Sequence, residues 1–394
     1  MRAVGIVAEY NPFHRGHAHH LAEAKRQSGA DIAAAVMSGW FTQRGEPALL
    51  APADRVRMAL AAGVDAVFLL PAFWAVRDAE HFALAGVSLL DRLGCDAISF
   101  GAETDDLPLM QAAAALLEEE PEQFREALRG LLDKGLAHPA AVSEAADLVF
   151  PGVGALLRKP NNTLAVCYLR AMRRLDSRMR PYPVRREGAY HAEDLDAVHP
   201  SATAVRLAIR EERTEEALSA VPDACRPILA EAVAAGDFLF PDALDTALRY
   251  RLLTMGREEL RALPGLSEGL EDRLLDAARR CASREAMLAM AKTRRYPEAR
   301  LSRLMAHALL RVTQADIDSQ PLPPCAVILG LTGNALPLLR RAEENGLPVF
   351  GKAADWIHLP DPWARTEALA GDLWALGRGK PAGAAARQQV LRPR

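Results

Sequence analysis

Across residues 2–100, short apolar runs alternate with helix-like stretches, and this alternation constrains the fold more than any other feature. Residues 2–8, Asp31–Met37, Asp65–Leu70 and Asp96–Phe100 read as strands, with helical patterns over Gly16–Ser28, Pro52–Ala61 and Ala79–Leu93 between them. The strands are apolar along their length instead of at every second position, which marks burial on both faces. The pattern predicts βαβ units around a parallel sheet, an α/β fold of Rossmann-like kind. Such sheets take ligands beyond the carboxyl ends of their strands. The polar loops 9–17, 38–51, 71–78 and 101–106 fall at those ends.

The rest of the 394-residue chain reads differently. Helical patterns run from Leu107 to about Lys134, where Gly135 suits a stop, and through Asn162–Leu175. Met179–Pro200 reads as irregular or short-strand structure. Ser201 then opens a mainly helical stretch to about Thr313, broken at Pro222, Pro227, Pro241 and Pro264. Pro321-Leu322-Pro323-Pro324 reads as a linker to a small α/β unit with strands at Cys325–Leu329 and Leu347–Phe350 and a helix over Asn334–Asn345. The expected division is 1–200, 201–320 and 321–394, the last ending in a basic Gly/Ala/Arg tail whose composition suits disorder.

Composition narrows the setting. The five cysteines (95, 167, 225, 281, 325) stand singly and form no CxxC pair, which fits a reducing, cytoplasmic compartment. No apolar run approaches the ~20 residues that cross a bilayer, so no membrane association is expected. The run Met1–Val7 meets Glu9, Asn11 and Pro12 too soon to resemble a signal peptide.

The net charge of −3 averages over strong segregation. Glu103–Asp147 is acidic. Arg158–Arg186 inverts the balance: Arg158, Lys159, Arg170, Arg173, Arg174, Arg178, Arg180, Arg185 and Arg186 face only Asp176. Lys292–Arg311 and the stretch after Leu376 are also basic. Clusters of this kind suit phosphate backbones; equally, they make solvated faces that balance the acidic segment.

The most specific motif is Glu9-Tyr10-Asn11-Pro12-Phe13-His14-Arg15-Gly16-His17-Ala18-His19-His20, between the first strand and the first helix. Gly16 lets backbone approach a ligand closely. The helix N-terminus offers unpaired N–H groups and partial positive charge, which favour phosphate. His14 and His17, three residues apart, can aim N–H donors at phosphate oxygens and at charge developing on a leaving pyrophosphate. Four histidines with Glu23 one turn on also admit a metal site, although no cysteine is near and there is no HExxH.

His14-Arg15-Gly16-His17 resembles the HxGH signature of the nucleotidyltransferase superfamily. The wider sequence resembles the tRNA(Met) cytidine acetate ligase family, through Glu9–His14 with His17, Met37-Ser38-Gly39, Gln43–Ala48, Phe100-Gly101-Ala102-Glu103, Lys159-Pro160-Asn161-Asn162 with Leu164 and Tyr168, Pro200-Ser201-Ala202-Thr203 with Arg206, and Arg294-Arg295-Tyr296 with Arg300 and Arg303. The resemblance implies an HxGH nucleotidyltransferase domain and a two-step reaction. Acetate attacks the α-phosphate of ATP, giving acetyl-adenylate; the N4 amine of the wobble cytidine of elongator tRNA(Met) then takes the acetyl group. ATP enters as a substrate, with Mg2+ expected alongside it and no tightly bound cofactor.

The family's ATP contacts carry over to Val7, Ala8, Glu9, Tyr10, Asn11, Pro12, Phe13, His14, Arg15, Gly16, His17, Ala18, His19 and His20, and to Gly101, Asn162 and Arg185, with Asn161 and Arg186 as adjacent alternatives. His14 and His17 carry the catalytic role. Arg44, Arg173, Arg174, Arg294, Arg295 and Arg300 are expected to face tRNA. Trp40 stands where relatives carry a polar residue; it suits stacking on a base or anchoring its loop. Glu46 suits proton acceptance from the amine or an ion pair with Arg44. A small-molecule adenylyltransferase shares HxGH, but has no need of the basic regions or of ~290 further residues.

Overall fold

The computed structural model describes residues 1–186, 200–293 and 296–392. Its centre is one seven-stranded sheet in the order β5-β4-β1-β2-β3-β6-β7. The strands are β1 (Ala3–Ala8), β2 (Ile32–Ser38), β3 (Ala66–Leu70), β4 (Ala97–Ala102), β5 (Arg180–Arg185), β6 (Ala326–Leu331) and β7 (Val349–Phe350). β1 to β5 run parallel, with Val7 opposite Val36, Ile6 opposite Ser99 and Gly101 opposite Val184.

Helices cover both faces, as continuous apolar strands require. α1 (Arg15–Ser28) and α2 (Pro52–Ala61) follow β1 and β2; α2 carries Pro52 at its first turn. The Ala79–Arg92 helix presses on β1 through Gly86, where a Cβ would lie 2.7 Å from Val7. Side chains of β2 and β3 are buried throughout.

The helical stretch from Leu107 divides into Leu107–Glu119 and Glu122–Asp133, because Pro121 cannot continue the first. Part of Met179–Pro200 is regular: β5 pairs with β4 at the sheet edge, where Pro181 and Pro183 are tolerated because an edge strand leaves one side unpaired. Residues 187–199 lie outside the described set.

The C-terminal segment departs from the expected separate unit 321–394. β6 pairs antiparallel with β3, Ala66 opposite Leu331 and Phe68 opposite Ile328, and β7 extends the same sheet. β3 would otherwise present a row of unpaired backbone groups, and β6 satisfies them. The tail is ordered to Arg392: Leu391 N–H donates to Leu329 O, Leu331 N–H donates to Leu391 O, and Ala385 is buried. The Pro362–Gly377 helix crosses back to the loops at the carboxyl edge. There Trp374 Nε1–H donates to Ala48 O at 2.9 Å, and Glu367 accepts from Ala72 N–H at 2.6 Å.

Residues 202–319 are helical among those described. They bind the same edge: Arg15 N–H donates to Ala220 O, Leu239 N–H to Leu49 O, and Arg206 Nη1 to Asn11 O. No helix among the described residues is long and apolar enough to cross a membrane.

Candidate active site

β1 ends at Ala8 and the chain turns through Glu9–Phe13, with a cis Asn11–Pro12 bond. His14 is the N-cap of α1. Its Nδ1 accepts from Gly16 N–H at 3.1 Å, and His14 N–H donates to His17 Nδ1 at 3.3 Å. A ring nitrogen that accepts holds no proton, so the bond pattern assigns both neutral imidazoles their proton at Nε2. The rings lie 3.7 Å apart, against a shelf of buried Tyr10 and Phe13. Burial, then the charges of His14, Arg186 and His20, hold His17 well below the usual histidine range, so it is neutral near pH 7. His20 is pushed down to about 4 by burial, then by Arg186 and His19. Its Nε2 lies 3.0 Å from Ser99 Oγ, whose own proton goes to Tyr182 O.

The next strand end supplies the opposite wall. A Cβ on Gly101 would lie 3.2 Å from Arg186 Cγ and Cδ, so the Arg186 side chain lies over this glycine. Arg186 Nη1 donates to Asn161 Oδ1 at 3.3 Å. Asn161 and Asn162 open the Pro160–Arg174 helix and bind Glu103: their N–H groups donate to its carboxylate at 3.1 and 2.8 Å, and Asn162 Oδ1 accepts from Glu103 N–H at 2.8 Å. The carboxylate thus answers orphan donors at a helix start. Gly101, Asn162 and the histidine turn meet at the carboxyl ends of β1 and β4, as the sequence predicts. Both neighbouring arginines are exposed, but it is Arg186 that lies over Gly101 and whose charge reaches His17 and His20.

The loop after β2 forms the far side. Gln43 N–H donates to Glu9 Oε1 at 2.7 Å, and its side-chain amide donates to Arg77 O at 2.8 Å. Burial raises Glu9, opposed by the Gln43 N–H and by Arg206, Arg44 and Arg55. Trp40 is buried 5.6 Å from Trp374, so it anchors its loop and has no face for a base. Glu46 accepts from Arg284 at 3.3 Å. Arg284 also donates to Ser302 Oγ at 2.6 Å, and Ser302 donates to Arg44 O, tying this loop to the helical region.

Sequence reasoning missed Arg55. Fully buried on α2, it donates to Glu9 O at 2.6 Å, to Leu50 O at 3.2 Å and to Gly39 O, holding the ends of β1 and β2 together. Burial lowers it to about 10, opposed by the Glu9 and Glu367 carboxylates. The available signal was an arginine among Val56, Met58 and Ala59 on an apolar helix face, where a charge demands partners.

The expected RNA-facing arginines scatter. Arg174 pairs with Glu80 at 2.7 Å and Glu118 at 2.5 Å, and Arg173 pairs with Glu119. They end the helix that Asn161 and Asn162 begin, roughly 18 Å away at 1.5 Å per residue. The acidic and basic segments thus balance each other here. Arg300 donates to Gly265 O at 2.7 Å and lies 5.5 Å from the Tyr296 ring. Arg294 and Arg295 lie outside the described residues. A cavity of about 630 Å³ opens at the amino ends of the strands, lined by Arg2, Asp96, Arg178 and Arg180. It is on the wrong edge for the histidines. Among the described residues, no group of three or more His, Cys, Asp and Glu side chains is placed to hold a metal ion.

A parallel sheet with paired histidines at the start of its first helix defines a nucleotidyltransferase of the HIGH class. Residues 1–382 match the HIGH Nucleotidyl Transferase family. The chain is 37% identical to the tRNA(Met) cytidine acetate ligase of Bacillus velezensis, over 97% of this chain and 94% of that one. It is 40% identical to the Syntrophotalea carbinolica protein of the same name, over 85% and 80%. The apo crystal structure of Thermotoga maritima TmcAL covers all of both chains at a TM-score of 0.93 and 28% identity; the form bound with alpha-thio ATP gives 0.90. The chain belongs to the tRNA(Met) cytidine acetate ligase family.

Proposed function

We propose that this chain joins acetate to the N4 amine of the wobble cytidine of elongator tRNA(Met), at the expense of ATP. The observation that carries this reading is the pair of imidazoles over the α1 N-terminus, each with its accepting nitrogen turned to backbone. Two Nε2–H donors and a helix N-terminus suit phosphate oxygens, not a reacting nucleophile. ATP lies with its base and ribose against Gly101 and its phosphates over His14, His17 and Gly16. Arg186 takes the arginine role that the resemblance gave to Arg185, because it lies over Gly101 and its charge reaches His17 and His20. Asn162 acts through the Glu103 clamp beside the nucleotide.

In the first step an acetate oxygen forms a bond to the α-phosphorus and the bond to pyrophosphate breaks. His14 and His17 donate hydrogen bonds to the phosphate oxygens as charge moves to the leaving group. In the second step the cytidine N4 lone pair attacks the acetyl carbonyl carbon. AMP leaves, and the nitrogen loses one proton. Burial keeps His17 neutral near pH 7, with Nδ1 accepting from backbone and Nε2–H left to donate, while His20 spends its own Nε2–H on Ser99. Magnesium, expected with ATP, is carried by the nucleotide phosphates in this reading, with no side chain assigned to it and no step drawn through it. The setting is the cytoplasm, where the acceptor tRNA resides. Arg44 and Arg300 remain the candidates for RNA contact within the described residues, with Arg294 and Arg295 beside Tyr296 in sequence. Acetate-dependent exchange of labelled pyrophosphate into ATP tests the first step directly. Exchange is expected with acetate and absent without it.

A further inference from the structure

Beside the crevice, where the loop after β3 meets the Glu298–Leu310 helix, three nitrogen-bearing side chains gather that the reaction above does not use. Arg77 is 8% exposed, yet its guanidinium makes no hydrogen bond among the described residues. His307 is 4% exposed and its Nδ1 is buried without a partner. Arg303, one turn before His307, is largely buried, and its guanidinium also makes no hydrogen bond among the described residues.

Two acids face the group. Asp78 stands opposite all three side chains and Asp318 opposite Arg77. Both carboxylates are occupied: Asp78 binds His81 through both oxygens at 2.8 Å, and Asp318 accepts from Gln314 at 2.8 Å. Arg300 adds a further positive charge near Arg303. Burial, then the charges of Arg77 and Arg303, push His307 down to about 3, as a positive local field requires. A guanidinium on a largely buried stem with no protein acceptor, beside an orphaned ring nitrogen of His307, leaves its donors to solvent or to an anion.

The surrounding backbone fixes this cluster to the site. Gly45, at φ +75°, packs on the backbone of Ser302 and Arg303, where a Cβ would come within 2.8 Å of Ser302 O. Gln43 joins Glu9 on one side to Arg77 O on the other. We propose that Arg77, Arg303 and His307 form an oxyanion subsite that takes a backbone phosphate of the RNA acceptor. The subsite rests on the reading of RNA as the second substrate. It does not suit the reacting carboxylate, which must stand ~3–3.5 Å from the α-phosphorus, whereas neither Arg77 nor Arg303 is among the charges that act on His17 and His20. A polymer spans that gap: one nucleotide enters the crevice and a neighbouring phosphate rests on the arginines.

The test compares the full-length chain with Arg77→Gln, Arg303→Gln and Arg77→Lys, each first checked for an unchanged melting temperature. The concentrations of tRNA and of acetate that half-saturate acetylation are measured, together with the salt dependence of tRNA binding. The glutamine variants are expected to raise the tRNA value about ten-fold and the acetate value less than two-fold. They should also lower the slope of log affinity against log salt by about one, with Arg77→Lys retaining the slope. A rise confined to acetate shows a carboxylate subsite and overturns the proposal. So do unchanged tRNA values and slopes, which leave the cluster a structural role. Absence of acetylation by the unaltered chain refutes the functional reading instead, and the salt slopes then still decide whether these arginines meet RNA phosphate.

Discussion

His14 N–H donates to Nδ1 of His17, and this bond decides which nitrogen of His17 faces the crevice. The same turn fixes His14, whose Nδ1 accepts from Gly16 N–H. The two side chains proposed as donors to phosphate are thus oriented by the backbone of the motif that contains them.

Replacing His17 with Ala is expected to lower acetate-dependent ATP–pyrophosphate exchange by about 10²–10³, the usual effect of removing a preorganised donor. His14→Ala should match that loss and also cost about 1 kcal/mol of stability, because His14 is the helix cap. Exchange rates with urea midpoints on both variants check this. A stable His17→Ala protein with normal exchange contradicts the donor role.

Arg186→Ala is expected to raise the half-saturating ATP concentration about ten-fold more than Arg185→Ala does, since Arg186 alone of the two lies over Gly101. Equal effects, or the reverse order, would return the role to Arg185.

Much of this was legible in the sequence because it is local. The strand–turn–helix pattern, the capped α1 and the closeness of Gly101 to the histidines follow from periodicity and from the rule placing sites at carboxyl ends of parallel strands. What was not legible depends on long-range pairing. Nothing in Cys325–Leu329 states that it will run antiparallel beside β3 and complete the main sheet. Trp40 finds its packing partner, Trp374, in the Pro362–Gly377 helix, and only that distant contact decides between the two roles open to it. Arg173 and Arg174 looked like a phosphate-binding patch until the Leu107–Glu119 helix brought Glu118 and Glu119 against them. Glu46 was expected at the chemistry or on Arg44; Arg284 claims it from the helical region.

Arg55→Met should destabilise the chain by about 3–5 kcal/mol, the cost of breaking a buried charge network from one side. Glu9 and Glu367 would lose a buried cation, and the carbonyls of Glu9, Gly39 and Leu50 their donor. Urea unfolding measures the loss; a change under 1 kcal/mol contradicts the organising role given to Arg55.

Stability should also fall as pH drops below about 6.5. His20 folds with its pKa lowered to about 4, so between those values the unfolded chain binds a proton that the folded chain refuses. His20→Gln should make the profile shallower across that window, with His17 and His307 supplying the remaining slope. Glu367 works in the opposite direction. Burial raises it to about 7, so the folded chain holds a proton that the unfolded chain releases, and stability is lost as pH rises from about 4.5 to 7. Glu367→Gln should remove that decline. Urea midpoints measured from pH 4 to 8 separate the two contributions.

The decisive experiment incubates the chain with unmodified elongator tRNA(Met), ATP and isotopically labelled acetate, then digests the tRNA and weighs its nucleosides. Labelled N4-acetylcytidine is expected at the wobble position, dependent on both ATP and acetate and abolished in the His14→Ala, His17→Ala double variant. Unlabelled cytidine throughout, from a preparation that still binds ATP, would contradict it.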